Sequence, residues 1–343
     1  MKKHSSRGKR RAVFAGLLFA AVLTGGAMLL SLAAKDLYWK APHLENALSD
    51  LSEYEARVTE NDSGLDEIEE TVHACNEAAA PVRPEFAPFF EGCDQMIRAC
   101  FQDVFQVDVT DRLNALQVME SSYPEEVSQM VGGSHSSDFP GKLFINAAVL
   151  EDARSELGEG ELPEAAGTRF STKLLRNVYI HEVTHYLGVN SDTGFHHFTE
   201  ALAEFLCQEV MEHSGVRYES ITGYAPIQGF AAQIASCDPA LVREALTSGH
   251  FDMKAYFNRK LGGDSGVDYG KVYDGLIGLL QKGDDSGGVR YHTQYLTYEY
   301  CKAANGGARE ILNAAGAAAG GAFELKWLLG IHGSRPELKN LPS

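Results

Sequence analysis

The sequence predicts an α+β protein in which helices dominate and a small sheet supports them. Three segments carry that expectation. TRFSTKLLRNVYIHEVTHYLG, Thr168 to Gly188, sets Phe170, Leu174, Val178, His181 and His185 near one stripe at the helical period, with Leu175 and Tyr179 flanking it and Gly188 where a C-terminal cap belongs. FTEALAEFLCQEV repeats the period through Phe198, Leu202, Phe205, Leu206 and Val210, and Thr199 is placed to cap its start. GKLFINAAVL, Gly141 to Leu150, is an apolar run bounded by Pro140 and by acidic residues, which is the pattern of a strand.

The elements follow in order from the N-terminus. Lys2, Lys3, Arg7, Lys9, Arg10 and Arg11 precede an uncharged, largely apolar stretch from Ala12 to Ala34. As a helix these 23 residues span about 34 Å, enough to cross a bilayer core of about 30 Å. The reading is a basic cytoplasmic tail at 1–11 and a single-pass signal anchor at 12–34, whose partner is the lipid bilayer and which leaves the remainder outside the cytoplasm at the cell membrane. Secretion after cleavage is the alternative, with Ser31 and Ala33 as a small-residue cleavage site, although secretory apolar cores usually run about 7 to 15 residues. Residues 35–80, with LENALSDLSEYEARV, read as an acidic stalk, and AAAPVRPEFAPFF, Ala78 to Phe90, as the turn into a globular domain at 81–343. ELGEGELPEAAG, Glu156 to Gly167, reads as an exposed loop before the HEVTH helix, and GGDSG and GDDSGG separate later helices.

Charge excludes one class of partner. Six of the 30 Lys and Arg lie in the first eleven residues, so 24 basic side chains face 47 acidic ones in the rest of the chain. No nucleic acid is expected to bind such a surface by charge. Six cysteines, Cys75, Cys93, Cys100, Cys207, Cys237 and Cys301, all follow the apolar stretch, as export to an oxidising compartment would favour. EGCDQMIRACFQDVF reads as helix, where the seven-residue separation of Cys93 and Cys100 corresponds to about 10 Å of rise, too far for a bond. Cys75 is therefore expected to pair with one of them; a bond from Cys207 to Cys237 or Cys301 would brace the Glu200 helix, and in a compartment that is not oxidising the alternative is reduced, buried cysteines.

HEVTH carries the chemistry. Side chains four apart on a helix lie one turn above each other, so His181 and His185 can reach one ion at about 2.0 to 2.1 Å, while Glu182 points aside, free to act on water. A third ligand has two candidates. The long motif HExxHxxGxxH needs His at 191, and this chain has Ser191, although Gly188 matches. Glu200 on the next helix is the second candidate, with Glu204 one turn on to accept the other ring N–H of a ligating imidazole. His196 and His197, in the connecting segment, are an alternative source. The plain structural reading of the same residues is a buried helix with hydrogen-bonded histidines and a solvated face of glutamates.

In His181, Glu182, His185 and Glu200, with an acid at Glu204, the chain resembles the gluzincin zinc metallopeptidases of the peptidase MA-like group, over roughly residues 140 to 330. The resemblance implies a zincin-like fold, with a small N-terminal-lobe sheet packed on the HExxH helix and a helical C-terminal lobe. It implies one Zn2+ ion held by His181, His185 and Glu200, with Glu182 as general base. An edge strand would line the cleft and hold an extended peptide or protein substrate, and Gly141 to Leu150 is the candidate. RYHTQYLTYEYCKAANGGAREIL, Arg290 to Leu312, resembles the family's later helix, which makes Tyr291 or His292 the donor to the developing oxyanion. Gln294 departs from the small residue often found there, and Tyr291, Tyr295, Tyr298 and Tyr300 also fit an aromatic core stripe. NAAGAAAGGAFELKWLLGIHG resembles the family's terminal helical pair. The implied function is a membrane-anchored, extracytoplasmic zinc peptidase. The alternative is a noncatalytic zincin-fold binding or sensing module at the cell surface, against which the intact Glu182 argues.

Overall fold

Residues 67–77 are helical and lead into the first strand, β1, Ala80–Pro81. The computed structural model describes residues 67–157, 170–190, 195–218, 224–248, 251–262, 268–284 and 287–305, which belong, up to Ala304, to one compact unit, Leu51–Ala304. After a 3-10 turn at Pro84–Phe86 comes helix α1, Ala87–Cys100, extended by a π-helical turn at Phe101–Phe105. Then follow α2 (Thr110–Ala115), β2 (Gln117–Ser121), α3 (Glu125–Ser128), β3 (Gly133–Ser134), β4 (Lys142–Asn146) and α4 (Ala147–Leu157). The second half is helical: α5 (Phe170–Tyr186), α6 (His196–His213), α7 (Ala225–Cys237), α8 (Pro239–Ser248), α9 (Met253–Leu261), α10 (Tyr269–Gln281) and α11 (Gly287–Asn305). A helix-rich α+β architecture with a small mixed sheet is therefore as expected. The basic tail, the apolar stretch 12–34, the stalk as far as residue 66, Ser191, the acidic stretch 158–167 and the tail from 306 lie outside the described residues. Among the described residues no helix is long and apolar enough to cross a membrane.

The sheet runs in the order β1-β2-β4-β3, with β2 and β4 parallel and the outer pairs antiparallel. An apolar run without polar alternation needs cover on both faces, and Leu143, Phe144 and Ile145 of β4 are indeed fully buried. The strand expected from Gly141 to Leu150 is corrected in two respects. It is interior rather than at the edge, and it ends at Asn146. Asn146 accounts for the ending, because its side-chain oxygen accepts the amide of Ala148 at 2.9 Å and so caps α4, whose Val149, Leu150 and Ala153 then face the core at helical spacing. Its side-chain nitrogen donates to the carbonyls of Val131 at 2.8 Å and Ser128 at 3.2 Å. That grip sets the loop leading into β3, which is the edge strand lying against α5.

Two long helices make the centre. α5 is touched by α1, α4, α6, β3 and β4, so it is buried on most of its circumference rather than along one stripe. Phe170, expected on that stripe, instead lies 63% exposed in the first turn. α6 begins at His196, three residues before the Thr199 expected to cap it, and Thr199 returns its hydroxyl to the His196 carbonyl at 2.7 Å. α6 packs on α5, α7, α10 and α1. At its N-terminal end Phe195, Phe198, Phe257, Tyr273 and Tyr300 stack into one aromatic cluster, with Phe257 centred 4.6 Å from Tyr300 and 4.9 Å from Tyr273. The tyrosine stripe of α11 thus divides, since Tyr300 belongs to the core and Tyr298 is 48% exposed.

The fold starts before residue 81. Asn76 donates to Ser134 Oγ of β3 at 3.0 Å and accepts from the Tyr123 hydroxyl, and β1 pairs with β2, so the end of the expected stalk is tied into the sheet. The expected cysteine pairing is also corrected. Cys237 of α7 bonds to Cys301 of α11, whereas Cys75, Cys93, Cys100 and Cys207 form no disulfide. Cys93, Cys100 and Cys207 face the core, where burial holds the thiols of Cys93 and Cys207 far above their ordinary pKa, and Cys207 sits against the Asn177 carbonyl of α5. Sequence spacing carries no information about which faces meet. Mass spectrometry under non-reducing denaturation is expected to find one crosslink, Cys237–Cys301, and four alkylatable thiols. Closing a loop of 64 residues contributes about 4 kcal/mol on the chain-entropy estimate, so Cys237→Ser is expected to lower the midpoint of thermal unfolding by at least several degrees.

Candidate metal centre

The C-terminal end of α5 is built to hold two imidazoles still. Gly188, at φ 127°, takes a backbone conformation that side-chain-bearing residues rarely adopt, as expected of a cap, and lets Val189 N–H return to the Thr184 carbonyl at 3.0 Å. The Val189 carbonyl is thereby turned onto His185 Nδ1. Arg112 of α2 closes the same end. Its guanidinium donates to the carbonyls of Tyr186 at 2.8 Å and Leu187 at 2.6 Å, and the Tyr186 hydroxyl donates back to the Arg112 carbonyl. A cation on the exposed carbonyls of a helix end is favoured by the helix dipole as well as by the bonds. Nothing within the sequence near HEVTH points to this residue, because it lies 74 positions upstream of Tyr186.

Across the α5–α6 contact the expected residues meet. His181 Nε2 lies 3.1 Å from His185 Nε2 and 3.1 Å from Glu200 Oε2, and His185 Nε2 lies 3.4 Å from Glu200 Oε1. His181 Nδ1 faces Glu204 Oε2 at 3.2 Å. His181, His185, Glu200 and Glu204 are all buried, and Glu182 is half-buried beside them. His196 and His197, expected in a connecting segment, form the first turn of α6. His196 stands at the rim, 4.0 Å from Glu200. His197 packs toward α10, where Nδ1 meets Gln281 Oε1 at 2.9 Å and a side chain at Gly278 would strike the ring at 2.6 Å.

Proton accounting shows what this arrangement fits. A carbonyl oxygen only accepts, so His185 Nδ1 carries its proton, and a carboxylate likewise takes the proton of His181 Nδ1. In neutral imidazoles both Nε2 atoms are then bare lone pairs, aimed at each other and at a carboxylate. Lone pairs at such separations repel unless positive charge lies among them. The edges of a tetrahedral zinc site with N and O ligands are about 3.3 Å, close to the distances found. Among the described residues no Lys or Arg pairs with Glu182, Glu200 or Glu204, so three carboxylates and two neutral rings share one partly dehydrated volume. The donor set of His181, His185 and Glu200 fits a single divalent cation.

Without an ion the same carboxylates draw protons onto the rings instead. Burial opposes protonation of His181, but hydrogen bonds to Glu200 and Glu204 outweigh it and raise its pKa well above the ordinary value. Burial likewise opposes protonation of His185, and the Glu200 charge and hydrogen bond raise it. Burial pushes Glu200 up, yet the charge of His185 and bonds from both rings hold it well below the usual carboxylate range. Burial raises Glu182, more than the two imidazoles lower it.

Two tyrosines that the sequence reading did not single out reach this centre. The Tyr224 ring, immediately before α7, stacks on His181 at 5.8 Å with 11° between planes, and its hydroxyl bonds to Glu200. The Tyr218 hydroxyl bonds to Glu204 Oε1. Tyr291 and His292 lie on α11, edge to face at 5.7 Å; burial alone raises the Tyr291 pKa, whereas the Glu200 charge is the largest influence on Tyr224. The sequence contains no local signal for Tyr218 and Tyr224, which reach the centre only through the fold.

Protons and metal compete for the same nitrogens. In the metal-free protein the protonated imidazoles stabilise the fold below their ordinary pKa, and that contribution is lost as pH rises through the raised folded value. Zinc affinity, measured by competition with a chromophoric chelator, is expected to rise from about pH 6 to 8, up to roughly tenfold per unit for each proton displaced. The stability of the metal-free protein is expected to fall over the same interval. A flat affinity profile, or zinc uptake undiminished by His181→Ala, would contradict this assignment of the ligands.

No family model, curated protein or solved structure matches this chain; the functional reading rests on the residues of the site.

Proposed function

We propose that the chain is a zinc-dependent peptidase of gluzincin type, a hydrolase of peptide bonds, exported and held at the membrane by residues 12–34. The observation that carries this reading is the convergence of His181 Nε2, His185 Nε2 and Glu200 at 3.1 to 3.4 Å with Glu182 beside them. His181, His185 and Glu200 would hold the ion, and Glu204 would fix the His181 tautomer. Zinc at such a centre supplies an activated water, with its pKa lowered to about 7, and polarises a carbonyl.

The chain's own groups do the rest. Glu182, one residue beyond the first ligand, takes a proton on its carboxylate and returns it to the leaving amine. Tyr291 and His292 of α11 are the proposed donors to the carbonyl oxygen as negative charge develops there.

Substrate alignment falls to β3 rather than to Gly141–Leu150. β3 is the edge of the sheet and lies on α5, so an extended peptide can add to it by backbone pairing. Gly133 makes this approach feasible: a Cβ there would stand 2.9 Å from Glu182 Cγ, 2.8 Å from Val178 Cγ1 and 3.0 Å from the Phe144 carbonyl. The edge strand and the proposed base are in direct contact.

Glu182→Gln tests the reading most directly. Peptide-library cleavage by the soluble portion is expected to fall at least about a hundredfold, while one equivalent of zinc remains bound. Full cleavage by this variant removes Glu182 from the chemistry, and an inactive but zinc-bound native protein leaves a binding module instead. Gly133→Ala is expected to retain zinc and lose about tenfold or more in kcat/KM, or about 1.4 kcal/mol of transition-state stabilisation, which steady-state kinetics with a metal assay will measure.

A further inference from the structure

Two phenols reach the carboxylates of the centre, and the hydrolytic reading uses neither. Tyr218 follows α6, and its hydroxyl donates to Glu204 Oε1, while Glu204 Oε2 accepts from His181 Nδ1 at 3.2 Å. Tyr224 precedes α7, covers the His181 ring in a near-parallel stack and bonds to Glu200. Six positions apart in the chain, the two tyrosines thus hold two different carboxylates that bracket the same imidazole from opposite nitrogens.

We infer that Tyr218 and Tyr224 are positioning residues that set how tightly the centre holds its metal ion, each by fixing the orientation of one carboxylate through a phenol hydrogen bond. The inference rests on the metal-centre reading above. Glu204 is fully buried, so an oxygen released by Tyr218 has no water to turn to, and the carboxylate is free to rotate away from His181. His181 then loses the partner that fixes its tautomer and ring plane. Glu200 has two oxygens and one metal to serve. A phenol donating to the carboxylate limits the rotations by which it can leave the ion, and the ring stacked on His181 limits that imidazole as well. Outer partners of this kind typically change metal affinity by about 10 to 100-fold.

The test is zinc titration of the whole exported portion against a chromophoric chelator, for the native protein, Tyr218→Phe, Tyr224→Phe and Tyr300→Phe. Each substitution removes only a hydroxyl. Tyr300 is the control, because its hydroxyl donates to the buried Asp238 at 2.7 Å in the aromatic cluster. Tyr218→Phe and Tyr224→Phe are each expected to weaken zinc binding about tenfold or more and to speed its release to the chelator, with any fall in the unfolding midpoint of the metal-free protein no larger than in Tyr300→Phe. Tyr300→Phe is expected to lower that midpoint and leave zinc affinity as it was. Zinc affinity equal to native in both Tyr218→Phe and Tyr224→Phe overturns the inference while sparing the metal centre. So does a loss of affinity matched by an equal loss in the control, or a variant that fails to fold, since the phenols are then architectural. A native protein that takes up no zinc removes the inference and the peptidase reading together.

Discussion

Three carboxylates and two imidazoles enclosed between α5 and α6 form the constraint on which the rest of the structure depends. In neutral form the rings contribute no positive charge, and the described residues supply no lysine or arginine to balance Glu182, Glu200 and Glu204. Buried charge of one sign is costly in a medium of low polarity unless it is paired or bound to metal. Two resolutions exist. Protons can be taken up by the imidazoles, which is the direction of their raised pKa values, or a divalent ion can occupy the space between the lone pairs. The Nε2–Nε2 separation of 3.1 Å excludes two N–H groups facing each other, and it accommodates either one proton between the rings or an ion among the lone pairs.

The surrounding structure makes that arrangement cheap to maintain. Arg112 closes the end of α5 from a helix far upstream, Val189 fixes one tautomer and Glu204 the other, and Asn146 holds the loop that lays β3 on the helix. Glycine does similar service at two contacts. Gly133 permits the edge strand to touch Glu182, and Gly278 permits α10 to close on His197. These contacts are spread over more than 160 positions, yet each acts on one of two helices. The disulfide joins α7, a neighbour of α6, to α11 and leaves α6 itself without a crosslink.

Sequence alone showed the parts of this design that are local. A four-residue spacing on a helix determines that His181 and His185 share a face, and the second helix could be read from its apolar period, so the cluster of His181, His185 and Glu200 was legible. The edge strand was not, because Gly133–Ser134 is two residues long and carries neither alternation nor apolar character. The strand that was legible turned out to be interior, and its continuation into Ala147 and beyond was misread because an apolar run looks the same in a buried strand and a buried helix; only the capping contact of Asn146 separates them. Cysteine pairing and the phenols at 218 and 224 depend on which helix faces meet. Spacing along the chain does not record that.

The helix also explains why the two halves of the site respond differently to change. His181, Glu182 and His185 belong to one rigid element, so the position of Glu182 relative to the two imidazoles is set by helix geometry and survives small movements of α5. Glu200 arrives from another helix, and its distance from the rings is set by side-chain packing along the α5–α6 contact, through Cys207 against Asn177 and through the aromatic cluster at the start of α6. Disturbance of that contact moves Glu200 relative to the rings before it moves Glu182. The approach of Glu200 to the rings and the placement of Glu182 beside them are therefore separable properties, the first distributed over the fold and the second written into five consecutive residues.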